Sequence, residues 1–161
     1  MRRPGGAVCP AMNETTGDQL FNRPARSVDR VFLHCSASDD ESLTGTILVD
    51  TVRRWHLARG FSDIGYHFLV DKAGRIMSGR SLEEKPAAQK GHNTGTIAIM
   101  AHGLTSFPGP MLNAVAGLCS SINTAYGGRI TFHGHCEVSA KACPVFNYHS
   151  LLRLDRFQRM P

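Results

Sequence analysis

The sequence predicts an α/β fold in which one central, mixed β-sheet is flanked by helices. Two long segments with helical spacing of apolar residues alternate with short segments rich in β-branched and aromatic residues, which is typical of this class. The chain has 161 residues, 42% of them hydrophobic and 19% charged, and can therefore form a single domain with a full core. No internal repeat or linker divides it.

Residues 1–26 are predicted to form a loosely packed N-terminal arm, and residues 27–161 to form the folded domain. The arm is rich in glycine, proline, asparagine and threonine without a clear period. It lacks the apolar segment of a secretory signal peptide, so we expect synthesis in the cytoplasm without a signal peptide. No run approaches the ~18 apolar residues of a membrane-spanning helix, and we expect no stable membrane insertion.

The predicted elements follow one another closely along the domain. They are a strand at 28–34, a helix at 46–59, hairpin strands at 64–70 and 75–80, a strand at 96–101, a helix at 111–126, a strand at 129–132 and a closing helix at 150–157. In the first helix Trp55 is assigned to the core, or alternatively to stacking on a sugar, and His56 to the polar face. Cys119 is predicted to be a buried thiol. The closing helix is basic, and a membrane-active role is the alternative to simple packing.

Charge and cysteine content narrow the function classes. The formal net charge of +5 favours acidic partners such as nucleic acid, anionic lipid or an acidic polymer. No basic block or aromatic-interleaved basic stretch supports nucleic acid, and we do not expect it as a partner. The five cysteines are an odd number, which, without a signal peptide, favours reduced thiols and metal binding over a disulfide framework.

The clearest chemical signal lies between residues 134 and 144. This stretch contains His135 and Cys143, with Lys141 two residues before the thiol. Imidazole and thiolate are ligands that zinc prefers, and His34, at the end of the first predicted strand, is the best third ligand. Three protein ligands leave a position for water, as in catalytic sites. These residues predict one catalytic Zn²⁺ per chain, although His34 alone could be a strand-end histidine that only forms hydrogen bonds.

A second metal arrangement is compatible with the residue types. It is a closed structural zinc site formed by four residues: His133, His135, Cys136 and Cys143. The crowding of the first three along a strand makes this alternative less favourable, because alternation directs neighbouring side chains to opposite faces.

Hydrolysis of an amide at such a metal would need a group that stabilises the developing oxyanion. Lys141 and Tyr66 are residues of the right type. Alternation along the second predicted strand places Tyr66 and His67 on opposite faces, so that one can point at a site while the other packs. The alternative for Tyr66 is a core tyrosine with a satisfied hydroxyl.

Four stretches together resemble a known family. They are FLHCSAS around His34, WHLARGFSDIGYHFLVDKAGRIMSGR at 55–80, KGHNTGTIAI at 90–99 and HCEVSAKACPVF at 135–146. In them the chain resembles the zinc-dependent N-acetylmuramoyl-L-alanine amidases of the amidase-2 type, which share a fold with peptidoglycan-recognition proteins. It is most similar to the small phage endolysins, and the resemblance covers most of the chain after about residue 28.

The resemblance implies an activity and a set of functional residues. By position, the zinc ligands of the family fall on His34, His135 and Cys143, its catalytic tyrosine on Tyr66 and its catalytic lysine on Lys141. The family hydrolyses the amide between N-acetylmuramic acid and L-alanine in peptidoglycan. We therefore expect a monomer that binds peptidoglycan and acts in the periplasm or cell wall after release from the cytoplasm, which would be the host cytoplasm if a phage encodes it.

The sequence departs from the family pattern at one position, and two alternative functions are compatible with it. Many family members have a histidine at the position of Ala88, so one polar wall of the substrate groove is expected to differ. The first alternative function is a non-catalytic peptidoglycan-binding module; such relatives typically lose the thiol ligand, whereas this chain keeps Cys143. The second is a regulatory protein that binds a phage RNA polymerase.

Overall fold

The computed structural model describes residues 21–161, which form a five-stranded sheet with helices packed on it. The strands are β1 (Arg30–Cys35), β2 (Phe68–Val70), β3 (Ile76–Ser78), β4 (Thr96–Ala101) and β5 (Thr131–Gly134). The helices are α1 (Gly45–Ala58), α2 (Gly109–Ala125) and α3 (Tyr148–Leu152), and a short 3-10 helix spans His135–Glu137. The predicted α/β class is confirmed.

The sheet is mixed, as the sequence predicts. Its strand order is β3-β2-β4-β1-β5. Strand β1 runs parallel to both β4 and β5, β2 runs parallel to β4, and β3 alone is antiparallel to its neighbour β2. Every residue of β4 is buried, as is typical of a central strand covered on both faces.

The hydrophobic core has two parts because side chains alternate between the two faces of the sheet. On one face Leu33 and Ile99 pack with the apolar side of α2, in the same cluster as the fully buried Cys119. On the other face Leu69 and Met100 pack with the inner side of α1. The prediction of a buried Cys119 is therefore confirmed.

The predicted orientation of α1 is wrong at two positions. Trp55 is 42% exposed, whereas His56 is 6% exposed. The inner face of the helix is formed by Leu48, Val52 and His56, which recur every four residues. Trp55 comes one residue before His56 and therefore points away from this face. The histidine occupies a core position because its ring nitrogen has a backbone partner there: Nδ1 accepts a hydrogen bond from the Gly65 amide at 2.8 Å.

The predicted bounds of the closing helix and of the strand that contains β2 are also corrected. The predicted closing helix at 150–157 is instead the short α3, which ends where Arg153 adopts a left-handed conformation with φ of 50°. Beyond it Asp155 accepts hydrogen bonds from the amides of Phe157 and Arg159 and forms a turn. In the predicted strand at 64–70 only β2 is paired as a strand, and Tyr66 precedes it.

The predicted N-terminal arm lies mostly outside the described residues. Of its last part, Phe21 is buried, with its ring centroid 6.4 Å from that of Phe68 and 5.9 Å from that of Tyr126. The division into an arm and a domain stays a prediction. No helix within residues 21–161 is long and apolar enough to cross a membrane.

Candidate active site

Two histidines lie side by side because two neighbouring strands end together. Strands β1 and β5 are parallel, and their register pairs Leu33 with Gly134. The residues that follow this pair, His34 within β1 and His135 directly after β5, are therefore delivered to the same carboxyl edge of the sheet and lie side by side. Their ring centroids are 4.7 Å apart.

The loop that follows the 3-10 helix brings Cys143 to both strand ends. The Cys143 Sγ atom accepts a hydrogen bond from the Cys35 amide at 3.3 Å, and the Cys136 amide donates to the Cys143 carbonyl at 2.7 Å. The Sγ atom also lies 3.9 Å from Nδ1 of His34. The candidate ligand atoms of His34, His135 and Cys143 are all within 4.8 Å of one another, and within residues 21–161 no other group of histidine, cysteine or acidic side chains has this geometry.

The electrostatic surroundings of these three residues fit a bound zinc ion. Burial, with a smaller effect of His135, lowers the pKa of His34 to about 3, so its imidazole is neutral and offers a lone pair. A hydrogen bond with Cys35 and burial raise the pKa of the Cys143 thiol. A thiolate at this position therefore needs a compensating cation. Two neutral imidazoles and a thiolate form a donor set that zinc prefers.

A buried glutamine fixes the tautomer of His34. The side chain of Gln89 is fully buried, and its amide nitrogen donates to the Thr96 hydroxyl at 2.7 Å and to the His92 carbonyl at 3.3 Å. Its amide oxygen must then face His34, where it lies 2.9 Å from Nε2. That ring nitrogen consequently carries the proton, and the lone pair of Nδ1 points towards Cys143. Sequence reasoning missed Gln89, because it belongs to a polar loop without a recognisable motif.

Tyr66 lines the same cavity, and its ring lies beside the rings of His34 and His56. Its ring centroid is 5.2 Å from that of His34 and 5.3 Å from that of His56. Burial raises the pKa of Tyr66 well above its usual range, so the hydroxyl is neutral and can donate a hydrogen bond. His56, whose pKa burial lowers to about 4, holds the adjacent Gly65 amide and so supports this position. His67 is buried and does not line this cavity; its Nδ1 accepts a hydrogen bond from the Ala98 amide and its Nε2 lies 2.7 Å from the Glu84 carbonyl.

Lys141 is exposed and lies in the loop that carries Cys143. It lines the cavity together with Tyr66, His135 and Cys143. After the larger effect of burial, the charge of Lys141 contributes to lowering the pKa of His135. Four of the five residues singled out by sequence therefore line one cavity. The fifth, His34, is buried directly behind it, with its ligand atom within 4.8 Å of those of His135 and Cys143.

The alternative four-ligand site is not formed. His133 is hydrogen-bonded to Glu137 at 2.9 Å and to the Thr131 hydroxyl at 2.7 Å, and both contacts direct its ring away from the three ligand residues. Cys136 is exposed, and its nearest polar partner is the Tyr148 hydroxyl at 4.0 Å.

Glu137 is a second residue that sequence reasoning missed. Its carboxylate accepts hydrogen bonds from the Gly134 amide at 2.8 Å and from the Tyr148 hydroxyl at 2.6 Å. Glu137 therefore closes the 3-10 helix that carries His135 back onto Gly134, the residue before it, and links the helix to Tyr148 on α3. A glutamate three residues after a glycine, at the start of a helix, is the pattern of a capping residue, and it was available in the sequence.

The cavity is open and continues into a second one. The part that is lined by His135 and Cys143 has a volume of about 480 Å³, and the adjoining part has a volume of about 590 Å³. Both parts are lined by Arg59, Phe61 and Lys141, and by Ala87 and Ala88. The two parts form one groove that could accommodate an extended substrate.

Comparison with known proteins identifies relatives of this chain. Residues 24–146 match the family model Amidase_2, described as N-acetylmuramoyl-L-alanine amidase. The endolysin of Escherichia phage T7 is 30% identical over 129 residues, which cover 75% of this chain and 83% of the phage protein.

Solved structures show the same fold. An endolysin described as an N-acetylmuramoyl-L-alanine amidase, from Clostridium intestinale, superposes with a TM-score of 0.70 at 21% identity, over 80% of this chain and 83% of that protein. The Drosophila peptidoglycan recognition protein SD superposes with a TM-score of 0.66 at 23% identity, over 76% and 78% of the two chains.

Proposed function

The chain belongs to the N-acetylmuramoyl-L-alanine amidase family, and we propose that it is a zinc-dependent enzyme that hydrolyses the amide between N-acetylmuramic acid and L-alanine in peptidoglycan. The observation that supports this most directly is the convergence of His34, His135 and Cys143 at one end of a groove that also contains Tyr66 and Lys141. A structural zinc site would use four protein ligands, whereas three leave a position for chemistry.

A zinc ion held by the three ligands would act as a Lewis acid and lower the pKa of a bound water towards ~7. Overall, hydrolysis adds a hydroxyl group to the carbonyl carbon and a proton to the departing amine as the carbon–nitrogen bond breaks. The neutral hydroxyl of Tyr66 can donate a hydrogen bond to the substrate carbonyl oxygen as that oxygen gains negative charge. The ammonium of Lys141 offers a positive charge to the same oxygen.

The amidase assignment is tested by the new ends that the protein creates. Purified peptidoglycan is incubated with the zinc-loaded protein, and the products are identified by mass spectrometry. We expect a free lactyl carboxylate on N-acetylmuramic acid together with a free amino group on L-alanine, and loss of both products when a chelator removes the metal. Cleavage at any other bond would overturn the proposed reaction. Cosedimentation with peptidoglycan without new ends would show a binding module instead.

The proposal also includes the oligomeric state of the protein and the compartment in which it acts. We propose that the protein acts as a monomer on peptidoglycan in the periplasm or cell wall after release from the cytoplasm. The family relation to phage endolysins supports this setting. Sedimentation of the purified protein tests the monomer, and fractionation of producing cells before and after release tests the compartment.

A further inference from the structure

The second part of the groove has an unusual charge pattern. Its side chains include three cations, Arg59, Lys90 and Lys141, and among residues 21–161 no carboxylate lines either part. None of the three makes a side-chain hydrogen bond or ion pair with another described residue. In contrast, the ammonium of Lys72 is paired with the carboxylates of both Asp39 and Glu41. The positive charges of the groove are therefore available to a ligand.

One of these cations is held in place by an aromatic ring. The guanidinium carbon of Arg59 lies 5.2 Å from the ring centroid of Phe61, a distance at which a cation and an aromatic face attract one another. The charge of Arg59 is also close enough to contribute to the low pKa of His56, after the larger effect of burial. Arg59 thus faces the groove beside Tyr66, and its planar guanidinium is suited to binding a carboxylate through two hydrogen bonds.

Lys90 and Lys141 approach the second part of the groove from different loops. The loop of Lys90 is anchored because Asn93 accepts hydrogen bonds from the amides of Ala88 and Gln89 at 3.1 and 3.0 Å. Asn93 also lines the groove, so the wall that carries Lys90 is fixed by a short network. We call this second part, with Arg59, Phe61, Lys90, Asn93 and Lys141, the basic extension.

The substrate has charge on one side of the scissile amide only. In peptidoglycan the lactyl carboxyl of N-acetylmuramic acid is consumed in the amide with L-alanine, so the glycan side is uncharged. The stem peptide continues with a glutamate whose α-carboxyl is either free or amidated. One residue spans at most ~3.6 Å of chain, so this group lies within one or two residue lengths of the reacting carbonyl. A basic extension that adjoins the candidate zinc ligands matches the peptide side.

We propose that the basic extension is a carboxylate-binding subsite in which Arg59 and Lys90 bind the free α-carboxylate of the second stem-peptide residue, so that the enzyme prefers stem peptides in which this group is not amidated. The proposal rests on the proposed amidase function. Lys141 also lines the extension, but its position beside Cys143 assigns it to the reacting carbonyl, so the test uses Arg59 and Lys90.

The test compares two substrates that differ in one group. Soluble muropeptides with a free or an amidated second-residue α-carboxyl are hydrolysed by the wild type and by Arg59→Gln and Lys90→Gln. We expect the wild type to have a KM about tenfold lower for the free acid, the scale of a hydrogen bond to a charged group. Each variant should lose most of this preference by binding the free acid less well, while its KM for the amidated substrate stays near the wild-type value.

Two matched variants control for the general loss of positive charge. Arg54→Gln removes an arginine from α1 that lines neither part of the groove, and Lys85→Gln removes an exposed lysine from the loop that carries Lys90. Both should keep the wild-type preference at low and at high salt. Zinc content and melting temperature, measured for all variants, verify that the fold is intact.

Each outcome decides between explanations. Equal KM values of the wild type for the two substrates would overturn the carboxylate subsite, although cleavage itself would still support the amidase. Equal losses on both substrates in Arg59→Gln or Lys90→Gln would also overturn it, since they would show nonspecific attraction to peptidoglycan. Failure of the wild type to cleave either substrate would instead overturn the proposed amidase function.

Discussion

The side chains of His34 and Gln89 are joined by a buried hydrogen bond of 2.9 Å between Nε2 and Oε1. Because Gln89 donates its amide protons to Thr96 and His92, only its oxygen is available to the histidine. The proton of the imidazole is therefore held on Nε2, and its lone pair on Nδ1 is oriented before any metal binds. Such partners of ligating histidines typically contribute 10–100-fold to metal affinity.

Replacement of Gln89 should therefore weaken zinc binding without removing a ligand. Gln89→Met keeps the approximate volume but loses the acceptor, and we expect about a 10–100-fold lower zinc affinity in a chelator competition assay. Gln89→Glu keeps an acceptor for the Nε2 proton and should bind zinc more tightly than Gln89→Met. Equal affinities of Gln89→Met and the wild type would show that the hydrogen bond does not orient the ligand.

Zinc content should depend on Cys143 and not on the other described thiols. We expect the wild type to bind one zinc per chain and Cys143→Ser to lose both zinc and activity, because a neutral hydroxyl is a much poorer zinc ligand than a thiolate. Cys136→Ser and Cys119→Ser should keep the metal, although the latter places a hydroxyl in the apolar core and should lower the melting temperature. Metal analysis after purification without chelator measures all four. Loss of zinc from Cys136→Ser would instead support the structural zinc site with four ligands, of which Cys136 is one.

Most of the sheet could be predicted from sequence because its strands and turns are locally encoded. The apolar run of β4 and the helical spacing of α2 each bury a continuous stripe, so a short window predicts them well. Strand β2 is shorter than predicted because the backbone of Gly65 bonds to the Ala87 amide and to the His56 ring in place of a neighbouring strand. Such contacts depend on residues far away in the chain, which a local pattern does not contain.

The candidate ligands could be predicted, but the residues that orient them could not. His34, His135 and Cys143 are of types that zinc selects, so their chemistry identifies them even without a fold. Gln89 and His56 act through single hydrogen bonds whose partners are 55 and 9 positions away. Their residue types are common in loops and on helix surfaces. Only the tertiary structure shows that both are buried beside the site.

His67 should make the protein sensitive to mild acid. Burial lowers the pKa of His67 to about 4, from an ordinary value near 6.5. Its Nδ1 accepts a hydrogen bond from the Ala98 amide at 3.1 Å, a contact that protonation would break. Below pH 6.5 the unfolded chain therefore binds a proton that the folded chain does not. The contribution of this residue to the free energy of unfolding should fall by about 3 kcal/mol as the pH decreases from 6.5 to 4.

Denaturant unfolding as a function of pH tests this expectation. The experiment uses chelator-treated protein so that loss of metal does not contribute. The free energy of unfolding of His67→Gln should decrease less between pH 6.5 and 4 than that of the wild type, whereas His149→Gln, which alters an exposed histidine on α3, should follow the wild type. If His67→Gln and the wild type lose stability in parallel, the acid sensitivity arises elsewhere.

Tyr66→Phe should keep zinc but slow turnover. The substitution removes only the hydroxyl, and the phenyl ring can keep its contacts with the rings of His34 and His56. A group that donates to a developing oxyanion contributes about a hundredfold or more to kcat. We therefore expect a loss of about a hundredfold in kcat on soluble muropeptide with unchanged zinc content. Cleavage at the wild-type rate would make Tyr66 a packing residue.

Lys141 can have one of two roles, a catalytic charge or a charge that only attracts the substrate. Both are compatible with its position, because the residue is exposed and lies two residues from Cys143. If its ammonium stabilises the oxyanion, it acts more strongly in the transition state than in the ground state, and Lys141→Ala should lower kcat more than it raises KM. Salt would not restore this loss. If the residue only attracts the anionic wall, its removal should raise KM, more at low than at high ionic strength, and Lys141→Arg should restore binding.

Kinetics of Lys141→Ala and Lys141→Arg on soluble muropeptide, at low and high salt, distinguish the two roles. The structure favours the catalytic role, because Lys141 borders the part of the groove that contains Tyr66 and the candidate ligands and its charge acts on His135. We expect a fall in kcat of at least tenfold for Lys141→Ala with unchanged zinc content. A guanidinium is larger, planar and differently hydrated, so Lys141→Arg should restore kcat only in part. Normal kcat in both variants would assign Lys141 to substrate attraction alone.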